Sequence, residues 1–237
     1  MNHNFHNIDI VILCGGKGTR LLPVVSDRPK GLAAFGDSTF LDILIDSLKK
    51  YGFRRFVLCV GHMKEQIIEH FQSRNDILIS FSEEDVPLGT GGALKKAQSL
   101  IQSETFIVMN GDSICDINYQ DFYQSHMNKN AMLSMALVRT KETHDFGSVV
   151  INNANEIISF KEKIKSHDIG LINAGIYLMQ KDIFSHMPDN SEFSLEHDFF
   201  PDLAGQRCAG FIVNGELIDI GTPDRYKNAV QLIGGGK

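Results

Sequence analysis

Short, unbroken runs of Val, Ile, Leu and Phe recur through the first half of the chain, at Ile8 to Cys14, Arg55 to Val60, Ile77 to Phe81 and Thr105 to Met109. Each has the length and β-branched content of a strand buried on both faces. Between them the apolar positions change period. Phe40, Ile43, Leu44, Leu48 and Tyr51 form one helical stripe, and Met63, Ile67, Ile68 and Phe71 form another. Alternating strand and helix predicts an α/β layer with a mostly parallel sheet. The second half is richer in strand-like runs, at Met132 to Val138, Ser148 to Ile151, Glu156 to Phe160, Ile172 to Met179 and Gly210 to Val213. Helices are expected there at Tyr119 to Met127, His197 to Leu203 and Pro223 to Leu232. No repeat, low-complexity linker or charge block divides the chain, so one compact unit is expected.

Composition narrows the partners more than the fold. A formal charge of −6 provides no cationic face for a polynucleotide backbone, so nucleic acid is not an expected partner. Cys14, Cys59, Cys115 and Cys208 lie far apart, without a CxxC pair or a companion histidine set, and are expected as free thiols in a reducing compartment. The polar opening from Met1 to Asn7 lacks a basic n-region, and the first apolar run is too short for a signal or a membrane span. A cytoplasmic location with no membrane partner is the expectation.

In open α/β sheets ligands gather beyond the carboxyl ends of the strands. The first strand is followed there by Cys14, Gly15, Gly16, Lys17, Gly18, Thr19, Arg20 and Leu21, a turn with three glycines and two cations. Glycines let backbone amides approach an anion closely. The run is not a Walker A loop, because no Ser or Thr follows Lys17, and Leu21 stands where a dinucleotide-binding GxGxxG needs its third glycine. Lys30 follows Pro29 ten residues past Arg20 and can reach back over the same loop. Asn110, Gly111 and Asp112 close the fourth strand, and a second carboxylate is offered by Asp219. Taken singly, each of these acids reads as a turn residue or helix cap more often than as a ligand.

The sequence GGKGTRL, then eight residues, then PK resembles the signature of the sugar-1-phosphate nucleotidyltransferases. The resemblance implies that Gly15, Gly16, Gly18, Thr19, Arg20 and Lys30 hold the phosphates of an NTP, with Leu13 at the mouth of the loop. Arg20 would stabilise the departing pyrophosphate. Pro87, Leu88, Gly89, Thr90, Gly91, Gly92 and Ala93 match the base-binding loop of the family, and Glu83 and Glu84 just before it could accept hydrogen bonds from a base or ribose. Asn110 and Gly111 would line the nucleotide site, and the resemblance assigns Mg²⁺ to Asp112 and Asp219. Phe160 to Lys163 is similar to an F-x-E-K element in which Glu162 would meet sugar hydroxyls and Lys163 the sugar phosphate. Asn173 to Tyr177 resembles the N-A-G-I-Y strand, with Asn173 and Gly175 facing the sugar. Ser194 to Asp198 is like an S-x-E-x-D segment whose Glu196 and Asp198 either touch substrate or cap a helix. Cys14 stands where Ala is usual, and Gly31 replaces a common Pro and would loosen the loop that carries Lys30.

The resemblance spans nearly the whole chain. It implies a single Rossmann-like, glycosyltransferase-A-like α/β domain over residues 1–237, with an NTP-binding half at about 8–115 and a sugar-phosphate half at about 116–233. The implied reaction is in-line attack of a sugar 1-phosphate oxygen on the α-phosphorus of an NTP, with Arg20, Lys30 and Asp112 as its catalytic residues. That nucleophile is already ionised, so no general base is needed, and catalysis reduces to positioning and charge neutralisation. LGTGGAL together with VVSDRPKGLA looks most like guanylyltransferases for D-glycero-α-D-manno-heptose 1-phosphate, which makes GTP the expected donor. Mannose 1-phosphate guanylyltransferases, cytidylyl-, uridylyl- and thymidylyltransferases, and a catalytically silent nucleotide-sugar sensor are the competing readings. A homodimer would be in keeping with the family.

Overall fold

The computed structural model describes residues 4–140, 148–161 and 169–234. In chain order its strands and helices are β1 (Asp9–Leu13), β2 (Ala34–Phe35), β3 (Ser38–Thr39), α1 (Phe40–Lys50), β4 (Arg55–Val60), α2 (Lys64–Phe71), β5 (Leu78–Glu83), α3 (Gly89–Ala97), β6 (Thr105–Asn110) and β7 (Ser113–Cys115). There follow α4 (Tyr119–Asn128), β8 (Leu133–Thr140), β9 (Ser148–Ile151), β10 (Ile157–Lys161), β11 (Gly170–Gln180), α5 (Phe200–Leu203), β12 (Cys208–Val213), β13 (Leu217–Asp219) and α6 (Pro223–Gly234).

Nine strands form one sheet in the order β10-β9-β11-β6-β1-β4-β5, with β8 also on β11 and β12 on β8. The pairings set β1, β4, β5, β6, β8, β9 and β12 running one way, and only β10 and β11 the other. The mostly parallel α/β sheet read from the apolar runs is therefore present, and it continues across both halves of the chain. The central strands β1, β4 and β6 are almost wholly apolar because both faces are covered. One face, with Ile10, Ile12, Leu58, Ile107 and Leu178, packs under α1, α2 and α4. The other, with Val11, Val57, Val108, Leu137 and Tyr177, packs under α3 and the segment from Phe193 to Leu203.

Helix α1 starts where expected because Thr39 and Asp42 form a reciprocal capping box. The helix expected at His197 to Leu203 is instead a π-helical turn over Leu195–Phe199 followed by the short α5, with Pro201 in its first turn. At the end of β1 away from the site, the buried carboxylate of Asp9 takes two hydrogen bonds from Arg55, at 2.8 and 2.7 Å, and the amides of Gln102 and Ser103. No helix among the described residues is long and apolar enough to cross a membrane.

Candidate active site

The chain leaves β1 between two neighbours that hold it tightly. Gly111 donates its amide to the Leu13 carbonyl at 2.9 Å, and Cys14 donates to Cys59 at 3.1 Å. From Gly15 to Arg20 the backbone amides then donate to no acceptor among the described residues. The loop closes through Leu21 to the Gly18 carbonyl at 2.8 Å, and Leu21 anchors it in a small core with Val25, Phe40, Ile220 and Ala229. A run of open N–H groups at the end of a parallel strand is a cradle for phosphate. Gly15 is favoured by close approach, since a Cβ there would lie 3.0 Å from the Gly61 backbone nitrogen and 2.8 Å from Glu84 Oε1.

Lys30 reaches back over this loop, the placement expected from its position after Pro29. A Cβ on Gly18, whose φ is +59°, would lie 3.2 Å from the Lys30 Cβ. Lys30 opens a single turn of 3-10 helix, Lys30–Leu32, and its ammonium forms an ion pair with Asp112. Gly31 does not loosen the segment. It is buried in that turn, stapled by Leu32 to the Pro29 carbonyl at 2.8 Å, and a Cβ at this position would meet the Leu41 side chain at 2.7 Å.

These elements surround a cavity of about 660 Å³ that brings together Leu13, Gly15, Gly16, Gly18, Lys30, Glu84, Pro87 to Thr90 and Asn110 to Asp112. Thr19 and Arg20 stand exposed outside it. At one end Glu84 accepts the Leu88 amide at 3.1 Å, and burial raises its carboxyl above the ordinary value, opposed by that hydrogen bond and by Lys96. The loop that follows is clamped from the opposite side: Gly89 holds φ +71° against the Phe193 carbonyl, and the amides of Gly91 and Gly92 donate to the same oxygen at 2.9 and 3.2 Å. Gly61, His62 and Val86 also line the cavity and were not singled out in the sequence. Only folding places β4 beside β1, where the His62 amide donates to the Gly15 carbonyl at 2.9 Å.

At the other end the strand passes through Asp112 into β7, which pairs antiparallel with β13 so that Ser113 faces Asp219. The Ile220 amide donates to the Asp112 carbonyl at 3.0 Å. Asp112 lines the first cavity, whereas Asp219 lines a second one with Arg225, which it holds at 3.2 Å. The Arg20 guanidinium comes close to the same turn, 3.5 Å from the position of a Cβ on Gly221. Among the described residues no three His, Cys, Asp or Glu side chains converge on one point. Two carboxylates completed by phosphate oxygens and water are nonetheless the usual protein share of a magnesium site.

Strand β11 is shaped by an irregularity in its pairing with β8 between Asn173 and Tyr177. Gly175 takes φ +72° there, and a Cβ on it would sit 2.6 Å from Asn110 Nδ2. The bulge re-aims Asn173, whose Oδ1 accepts the Gly175 amide at 2.8 Å and whose Nδ2 donates to the Tyr177 hydroxyl at 2.7 Å. Tyr177 continues to Glu196. Asp198, by contrast, caps the turn by accepting the Ser194 amide at 2.7 Å and is exposed. Glu162 and Lys163 lie outside the described residues.

All four cysteines are free thiols. Burial, with the Glu84 carboxylate nearby, pushes the Cys14 thiol up to about 12, so it is protonated at neutral pH and is not a nucleophile.

A family model for nucleotidyl transferases matches residues 9–234, and the chain belongs to that family. It is 36% identical to D-glycero-α-D-manno-heptose 1-phosphate guanylyltransferase of Aneurinibacillus thermoaerophilus, covering 94% of this chain and 96% of that protein. It is also 36% identical to the enzyme of the same name from Campylobacter jejuni, over 91% of this chain and 96% of the relative. The crystal structure of HddC from Yersinia pseudotuberculosis complexed with GMP-PN superposes with a TM-score of 0.84 at 33% identity, covering 95% of this chain and 99% of that one.

Proposed function

We propose that this chain transfers GMP from GTP to D-glycero-α-D-manno-heptose 1-phosphate and releases pyrophosphate. The observation that carries the reading is the match, over almost the full length of both partners, to two relatives that bear this name. The site supports it. The open amides from Gly15 to Arg20, with Arg20 and Lys30, suit a polyphosphate, and a reaction between two polyanions needs such charge neutralisation at the transition state. Glu84 follows β5 and Asp112 follows β6, on opposite sides of the β6-β1-β4-β5 order, and Glu84 lies beside the loop Pro87 to Thr90. Its carboxylate has acceptor capacity beyond the Leu88 amide, which suits the N1 and N2 hydrogens of guanine. Asn173, Gly175 and Glu162 are assigned to the sugar, and Lys163 to its phosphate.

Mg²⁺ is part of this proposal. Asp112, the residue before β7, and Asp219, which pairs with Ser113 across the β7–β13 ribbon, line neighbouring cavities and offer the hard oxygen donors such an ion takes. When bound it would neutralise phosphate charge at the reacting end of the cavity. The residues themselves orient: Lys30 spans loop and carboxylate, and Gly175 lies against Asn110 while its amide holds Asn173. Mannose 1-phosphate is the runner-up acceptor, supported by the 27% identity to the mannose-1-phosphate guanylyltransferase of Mycobacterium tuberculosis, of which this chain covers 66%. Pyrophosphate release, measured for four NTPs against several sugar 1-phosphates, tests the reading. Turnover is expected with GTP and the heptose phosphate, and binding without turnover would instead identify a sensor.

A further inference from the structure

Three hydroxyl groups converge on the carboxylate of Glu196. Thr90 Oγ1 lies 2.7 Å and Ser194 Oγ 3.0 Å from its Oε2, and the Tyr177 hydroxyl lies 3.3 Å from its Oε1. The direction of each bond follows from what lies behind it. Thr90 Oγ1 accepts the Leu195 amide at 2.8 Å, Ser194 Oγ accepts the amides of Glu196 and His197 at 3.2 Å, and the Tyr177 oxygen accepts Asn173 Nδ2 at 2.7 Å. A carboxylate carries no proton to give, so each hydroxyl spends its single proton on Glu196. Tyr177 is fully buried, and burial together with the Glu196 charge holds its phenol well above the usual range, so it remains a donor.

The two arms end in different places. Thr90 belongs to the loop beside Glu84 that lines the nucleotide cavity, and Asn173 belongs to the bulged strand assigned to the sugar. We propose that Glu196 is a positioning residue that couples the two subsites, holding the nucleotide loop through Thr90 while orienting the Asn173 amide through Tyr177. The inference rests on the guanylyltransferase reading for the identity of the substrates, but not for the network itself. Glutamine at 196 replaces one acceptor oxygen with a donor that faces a hydroxyl already committed to donating, so one arm must reverse its direction.

The test combines amide hydrogen exchange on the substrate-free protein with steady-state kinetics on Glu196→Gln, Tyr177→Phe and Thr90→Val. In exchange, Glu196→Gln should lower protection at both Leu195 and Gly175, and Tyr177→Phe, a change on the sugar side, should lower it at Leu195. These results do not depend on which substrates are used, so failure here overturns the coupling alone. Absence of parent turnover with GTP and sugar phosphate would overturn the substrate reading alone. In kinetics Tyr177→Phe should raise KM for the sugar 1-phosphate about tenfold with kcat nearly unchanged, the cost of losing one hydrogen bond of ordinary strength. Thr90→Val and Tyr177→Phe should combine non-additively in the parent and additively in the Glu196→Gln background. Unchanged exchange at Leu195 in Tyr177→Phe, or additivity already in the parent, would overturn the proposal. Tyr177→Phe and Thr90→Val keep it falsifiable should Glu196→Gln fail to fold.

Discussion

The ammonium of Lys30 rests on the carboxylate of Asp112, two residues 82 positions apart that the fold brings together in the lining of one cavity. Each is the other's counter-charge. In the proposed reaction a triphosphate would compete for Lys30, and a divalent cation for Asp112. The pair thus keeps both groups in place without a net charge to be desolvated.

Lys30→Ala should therefore lower kcat by about 10²-fold or more, the range for loss of one transition-state donor. The fold should survive, because Lys30 projects into the cavity and the buried anchor of its turn is Leu32. Near-parental kcat would remove Lys30 from the catalytic residues.

Asp112 and Asp219 are expected to share one magnesium-dependent role. Asn at either position should abolish turnover at low Mg²⁺, and the Asp219 variant should recover further at high Mg²⁺, since Asp112 alone of the two lines the nucleotide cavity. The check is a Mg²⁺ titration of initial rate. Parental titration curves for both variants would break the assignment.

Glu84 gives a pH-dependent prediction. Its folded carboxyl is raised above its ordinary value, chiefly by burial. The protonated form is thus favoured by folding: that stability is present below the ordinary carboxylate value and is lost as pH rises through the folded one. Glu84→Gln escapes the loss and should match or exceed the parent in Tm at neutral pH. Its kcat/KM for GTP should fall, and the acid limb of the parent's pH profile, placed above the ordinary carboxylate range, should vanish. A Tm drop of several degrees with that limb retained would contradict this role.

At Gly175 the backbone is left-handed, and a Cβ would press on Asn110. Gly175→Ala should cost about 1–2 kcal/mol of stability from backbone strain alone. Displacement of Asn110 and Asn173 should also raise KM for the sugar phosphate more than KM for GTP. Denaturant unfolding and steady-state kinetics separate the two effects.

The glycine loop and Asp112 were legible in the sequence because each closely follows a buried strand, whereas Lys30 and the segment Pro87 to Thr90 gained their weight from the family resemblance. The β7–β13 ribbon was not, since three-residue strands such as Ser113–Cys115 and Leu217–Asp219 are too short to show a period. Tyr177 was hidden for another reason. Its ring fills the apolar face of β11 as any core aromatic would, and only the bulge at Gly175 turns its hydroxyl toward Asn173 and Glu196. Gly61 and His62 depend on β4 lying beside β1, a pairing across more than forty residues that spacing alone does not reveal. Pro201 carried the signal for the broken helix, because proline is tolerated in a first turn and not in an interior one.

The most direct measurement is kcat/KM for GTP, ATP, CTP, UTP and dTTP with D-glycero-α-D-manno-heptose 1-phosphate at saturating Mg²⁺. A site whose buried acceptor is matched to a particular base edge rejects an analogue that leaves it unpaired by up to about 10⁴-fold. GTP should exceed every other triphosphate by a wide margin, and mannose 1-phosphate should replace the heptose phosphate as a poor but detectable acceptor. Faster turnover of CTP, UTP or dTTP than of GTP would contradict the guanylyl assignment.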